Sequence, residues 1–130
     1  MTAHIVLSAI DPSQPATLCG PVLNILRSQA DFEGVIISDS LMMRGITKFC
    51  PSIEEAAICA FNAGCDLLLL GGSQLIEGDI RFELTVADIE RIHRAVVLAV
   101  IEGRISQQRL DASVARILTM KQFFLGCNVF

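Results

Sequence analysis

One carboxylate, Asp39, follows the apolar run Val35, Ile36 and Ile37 and is flanked by Ser38 and Ser40. A carboxylate directly after a buried run is costly to desolvate without partners. Two readings fit it: a solvated strand-end aspartate that bonds its own loop, or a nucleophile or electrostatic stabiliser beside an electron-poor centre. His4 sits inside another apolar run, as a core histidine bonded to a carbonyl or as a ligand. His93, between Arg91 and Arg94 on a helical stretch, reads as surface. Gly71, Gly72 and Ser73 follow a third apolar run, but no phosphate-loop pattern supports more than a turn. Met42 and Met43 suit flexible packing or a pocket wall.

The elements that must carry these residues read as β-α-β-α-β-α-α. Residues 3–8, 34–38 and 65–70 are short, continuous apolar runs, the pattern of strands covered on both faces. Pro21 opens a helix over 22–29. Residues 41–49 read as a loop with a helical turn. Ser52 with Glu55 opens a helix that Gly64 ends. Residues 73–84 read as a long loop. Helices follow over 86–102 and 106–125, stopped by Gly103 and Gly126. Strands alternating with helices predict a parallel α/β sheet, whose ligands bind at the carboxyl ends of the strands. Ser8, Asp11, Asp39 and Gly71 all fall at such ends.

The chain has 130 residues, 52% of them hydrophobic and 18% charged, with net charge −4. That is one domain's worth with ample core material, and far from disorder. The apolar surplus implies that the sheet lacks some neighbours. Scattered basic residues give no nucleic-acid footprint. No apolar stretch has the length of a membrane span, and residues 1–10 hold no charged region before their apolar run as a signal peptide requires, so a cytoplasmic location is expected. Cys19, Cys50, Cys59, Cys65 and Cys127 show no metal-ligand spacing and read as reduced thiols. No metal or cofactor is expected.

Several blocks together resemble glycoside hydrolase family 3, in its β-N-acetylhexosaminidase (NagZ-like) branch. They are Met1 to His4 with Asp11, Pro12 and Pro15 to Leu18; Phe32 to Met43; Glu55 to Ala57 with Ala63 to Leu69; and Gly103 to Ser106 with Arg109 to Val114 and Arg116 to Leu118. The resemblance implies a partial (β/α)8 TIM-type barrel, with residues 1–130 as the C-terminal portion of the family's N-terminal-type catalytic domain. The runs above would be three parallel strands, equivalent to its sixth to eighth. It implies Asp39 as the nucleophile of a retaining hydrolase, with His4, Ser38 and Met43 in substrate binding. The substrate would be terminal β-linked N-acetylglucosamine, as in peptidoglycan turnover. Ser40 stands where the family often carries a second aspartate. The family's lysine–histidine sugar-binding block and its histidine–aspartate acid/base loop do not occur in this sequence, so a truncated copy, inactive alone, is expected.

Two other readings are open. A non-enzymatic half-barrel that assembles with a complementary chain would account for the apolar surplus. A receiver-like domain with Asp39 as phosphoacceptor needs an acidic pair after the first strand, where only Asp11 stands.

Overall fold

Pro21 lies in the first turn of helix α1 (Gly20–Ser28), where its missing N–H costs nothing. In this computed structural model residues 1–71, 74–76 and 80–126 are described. A single 3-10 turn over Ala16–Leu18 precedes α1, and a short helix α2 (Arg44–Thr47) follows the Asp39 segment. Helix α3 (Ile53–Ala63) begins at Ser52, whose hydroxyl accepts from the Glu55 N–H. It ends at Gly64, whose φ of 130° a side chain would resist. Helix α4 (Val86–Ile101) opens on a reciprocal capping box between Thr85 and Asp88. Helix α5 (Gln107–Leu125) ends at Gly126 in the left-handed region. The pattern of apolar residues and caps therefore placed the four longer helices close to where they lie.

Helix α3 is the centre of the molecule. Its Ala56, Ala57 and Ala60 are buried, and such small side chains let the 3-10 turn, α1 and α4 approach closely. Leu18, Leu23, Ile36, Leu41, Ile46, Cys65 and Ile92 complete this core. A second cluster, Ile58, Phe61, Ala99 and Ile105, joins α3 to α4 and the start of α5. Burial pushes the Cys65 thiol up to about 12 and the Cys50 thiol up to about 11. Those two thiols are packing groups rather than reactive ones.

The parallel sheet expected from the sequence is not what forms, so the three-strand barrel fragment is corrected. Among the described residues the expected strands are extended segments joined by isolated bridges. Ile37 meets Leu67 in a parallel bridge and Val6 meets Pro15 in an antiparallel one. The regular strands fall instead within the segment read as a loop: β1 (Gln74–Ile76) pairs antiparallel with β2 (Ile80–Phe82). The reason is visible in the hydrogen bonds. Three N–H groups in the expected strands or directly after them are taken by side chains: Ile36 by Asp66 at 3.0 Å, Asp39 by Thr2 at 3.1 Å and Leu69 by Ser38 at 2.8 Å. Each donor taken this way is lost to a ladder.

Candidate functional site

Asp39 is half-buried at the end of the segment that carries the Ile37 bridge. The Ser40 N–H donates to its Oδ1 at 2.7 Å. Its other carboxylate oxygen has no hydrogen-bond partner among the described residues. The Asp39 N–H donates to Thr2 Oγ1 at 3.1 Å. Ser40 is buried, and its hydroxyl donates to the Gly71 carbonyl. An ionised aspartate in place of Ser40 would set two acceptors against each other there, so serine suits this contact.

His4 lies on the other side of the same turn. Its Nε2 is 2.7 Å from the Ser40 carbonyl and its Nδ1 is 2.9 Å from Thr17 Oγ1. Thr17 is fully buried and lies 2.8 Å from the Thr2 hydroxyl. His4, Ser40 and Asp39 are thus brought together, although both imidazole nitrogens already have partners. Ser38 is fully buried, with its hydroxyl accepting from Leu69. Met43 is 47% exposed at the start of α2. Met42, by contrast, is buried. Gly71 contributes its carbonyl, while Gly72 and Ser73 lie outside the described residues. His93 is exposed on α4.

Helix α2 packs directly on His4. A Cβ at Gly45 would stand 2.9 Å from the His4 Cβ, a backbone-anchored atom that cannot swing away. Gly45→Ala is expected to cost about 1–3 kcal/mol of stability by overpacking, read from chemical denaturation midpoints. An unchanged midpoint would mean that α2 is not seated against His4.

Sequence reasoning missed the most heavily bonded carboxylate, Asp66. Its side chain is fully buried, and three arginines converge on it: Arg27 at 2.7 Å, and Arg109 and Arg116 at 3.1 Å each. The Ser113 hydroxyl donates to it at 2.7 Å and the Ile36 N–H at 3.0 Å. Burial raises its pKa, but the Ile36 N–H, the Ser113 hydroxyl and the Arg109 and Arg116 charges together lower it more, leaving it below the ordinary carboxylate value. Arg109 also donates to the Phe61 and Cys65 carbonyls and stacks 4.6 Å from the Phe61 ring centroid. The only available signal was the spacing of Arg109, Ser113 and Arg116 on one helical face, and nothing in that spacing names a partner.

A cleft of about 1080 Å³ lies between Phe32, Val35 and Ile37 on one side and Arg116, Met120, Phe123 and Phe124 on the other. Glu33 and Thr119 are among its lining residues, and Asp39 is not part of its wall. Asp39 has one carboxylate oxygen fixed by the Ser40 N–H and the other open among the described residues, at the end of the segment that carries the Ile37 bridge.

Residues 1–120 match the model of a family described as glycosyl hydrolase family 3 N terminal domain. Over 93% of its length the chain is 32% identical to β-hexosaminidase A of Pseudoalteromonas piscicida, of which it covers 21%. Over 62% of its length it is 40% identical to a β-hexosaminidase of Idiomarina loihiensis, of which it covers 26%. A solved structure, a glycoside hydrolase family 3 β-N-acetylglucosaminidase from Paenibacillus, superposes with a TM-score of 0.78 at 35% identity, over 94% of this chain and 21% of that one. The chain therefore spans about a quarter or less of the length of these relatives.

Proposed function

The chain belongs to glycosyl hydrolase family 3 through that N-terminal domain, and from this premise we propose that Asp39 is the nucleophile of a retaining β-N-acetylhexosaminidase acting on terminal β-linked N-acetylglucosamine, as in peptidoglycan fragments. The observation that carries this reading is the state of the Asp39 carboxylate. One oxygen is fixed by the Ser40 N–H, and the other is open among the described residues. A carboxylate so held can attack an anomeric carbon without first breaking an ion pair. The names of the relatives, β-hexosaminidases and a β-N-acetylglucosaminidase, support the sugar class.

Retaining chemistry also needs a group that protonates the leaving oxygen, about 5–5.5 Å from the nucleophile where that group is a carboxyl. Both nitrogens of His4 are engaged, and His93 is an exposed residue of α4. This reading therefore takes the leaving-group proton from a group outside the described residues. Ordinary glycosides should react slowly or not at all with the chain alone, whereas leaving groups that need no proton can still be expelled.

An activated fluoro-substituted aryl N-acetylglucosaminide tests the reading. Peptide mass spectrometry should find one glycosyl ester, on the peptide containing Asp39. An adduct on another carboxylate, or none, removes Asp39 from the role.

A second reading is favoured by one observation. Phe123 and Phe124 are 81% and 75% exposed at the edge of the large cleft, beside Phe32 at 41%. A complementary chain covering this face would make the protein one part of an assembly. A stable monomer that binds no hydrophobic dye would count against it.

A further inference from the structure

We infer that His4, Thr17 and Thr2 form a directed hydroxyl relay that positions the main chain of Asp39, so that His4 is a positioning residue rather than a sugar ligand. The inference rests on the nucleophile reading of Asp39 only for its catalytic consequence. The relay itself follows from proton bookkeeping.

The Ser40 carbonyl can only accept, so His4 Nε2, 2.7 Å away, must carry a proton. A neutral imidazole then has a bare Nδ1, which needs a donor. Thr17 Oγ1 at 2.9 Å is that donor. Thr17 has one proton and two acceptors within reach, Nδ1 and the Ala3 carbonyl at 3.1 Å. Placing it on Nδ1 leaves no imidazole lone pair without a donor. Thr17 Oγ1 accepts in turn from the Thr2 hydroxyl at 2.8 Å, and Thr2 Oγ1 accepts the Asp39 N–H at 3.1 Å. Every donor then has an acceptor, and all the bonds run one way. The chain begins at the Asp39 N–H and ends at the Ser40 carbonyl, so it grips the backbone on both sides of the Asp39 carboxylate.

The two termini of this relay are 35 or more residues apart in sequence from the groups they hold, as the Asp39–Thr2 and His4–Ser40 bonds show. Its middle member, Thr17, is fully buried. A residue kept only for shape at that point would tolerate valine better than serine. A relay requires the reverse.

The test uses the whole chain labelled with ¹⁵N at histidine, above neutral pH, with His93→Gln to assign the signals. His4 should show a protonated Nε2 and a hydrogen-bonded, unprotonated Nδ1. Thr17→Val should move the Nδ1 signal and the Asp39 amide signal, and Thr17→Ser should restore both. The rate of Asp39 labelling by the activated sugar should fall about 10- to 100-fold in Thr17→Val and recover in Thr17→Ser, as a small misplacement of a reacting group requires. A protonated Nδ1 with a bare Nε2 in the wild-type chain overturns the relay, whether or not the variants fold. So does a Thr17→Val variant with unchanged His4 and Asp39 signals. If these signals behave as expected but wild-type Asp39 takes no label, the nucleophile reading fails and the relay stands.

Discussion

Asp39→Asn should leave the stability of the chain within about 0.5 kcal/mol of wild type, as expected for a half-exposed position whose one bond an amide oxygen can keep. It should nevertheless lower dinitrophenolate release from an activated aryl N-acetylglucosaminide by about 10³-fold or more, the scale on which removal of a covalent nucleophile is felt. The two outcomes separate because different parts of Asp39 are involved. Its N–H, bonded to Thr2, and its Oδ1, bonded to the Ser40 N–H, have counterparts in asparagine. The open oxygen does not. A dinitrophenol leaving group departs without a proton, so the missing acid does not mask the effect. Equal release by both proteins, or none by wild type, would remove Asp39 from the chemistry.

The largest loss of stability is expected at Asp66. Asp66→Asn removes the negative charge from a fully buried site that holds Arg27, Arg109 and Arg116 within 3.1 Å. Breaking a buried pair by deleting one partner costs about 3–5 kcal/mol, because the remaining charges stay desolvated. The loss should concentrate on α5. Ser113 is its one buried residue, so polar bonds to Asp66 do much of what apolar packing does for α3. Denaturation should show a lower midpoint, and limited proteolysis should cut α5 first. A variant as stable as wild type would mean that the arginines are held by other groups. Acid should have a related effect. The folded-state pKa of Asp66 lies below its ordinary value of 3.8. Its contribution is then complete above that value and is lost as the pH falls below it toward the lowered one. Asp66→Asn should flatten the part of the acid unfolding curve that lies below the ordinary carboxylate range.

Helices were legible because their signals are local. Ser52 and Glu55, three residues apart, meet in the cap of α3, and Gly64 and Gly126 take the backbone conformations their type permits. The position of Asp39 after an apolar run was equally local, and the blocks around it were enough to point to the family. Continuous apolar runs promised strands, yet strand pairing depends on which groups take the N–H donors. Thr2, Ser38 and Asp66 took three of them from 37, 31 and 30 residues away. No local pattern carries that competition.

His4 shows the division most clearly. Its place in an apolar run left open whether it would bind a carbonyl or a ligand, and that choice waited on the Ser40 carbonyl and on Thr17. The three-arginine clasp on Asp66 showed in the sequence only as the spacing of Arg109, Ser113 and Arg116, which names no partner, since its members come from α1, the segment after α3, and α5. Residue order was sufficient for what neighbours in the chain decide: the helices, their caps, the family and the carboxylate at residue 39. The fate of each backbone donor and the partners of each buried charge were settled only when distant segments packed, because desolvation makes every polar group find its partner in space rather than along the chain.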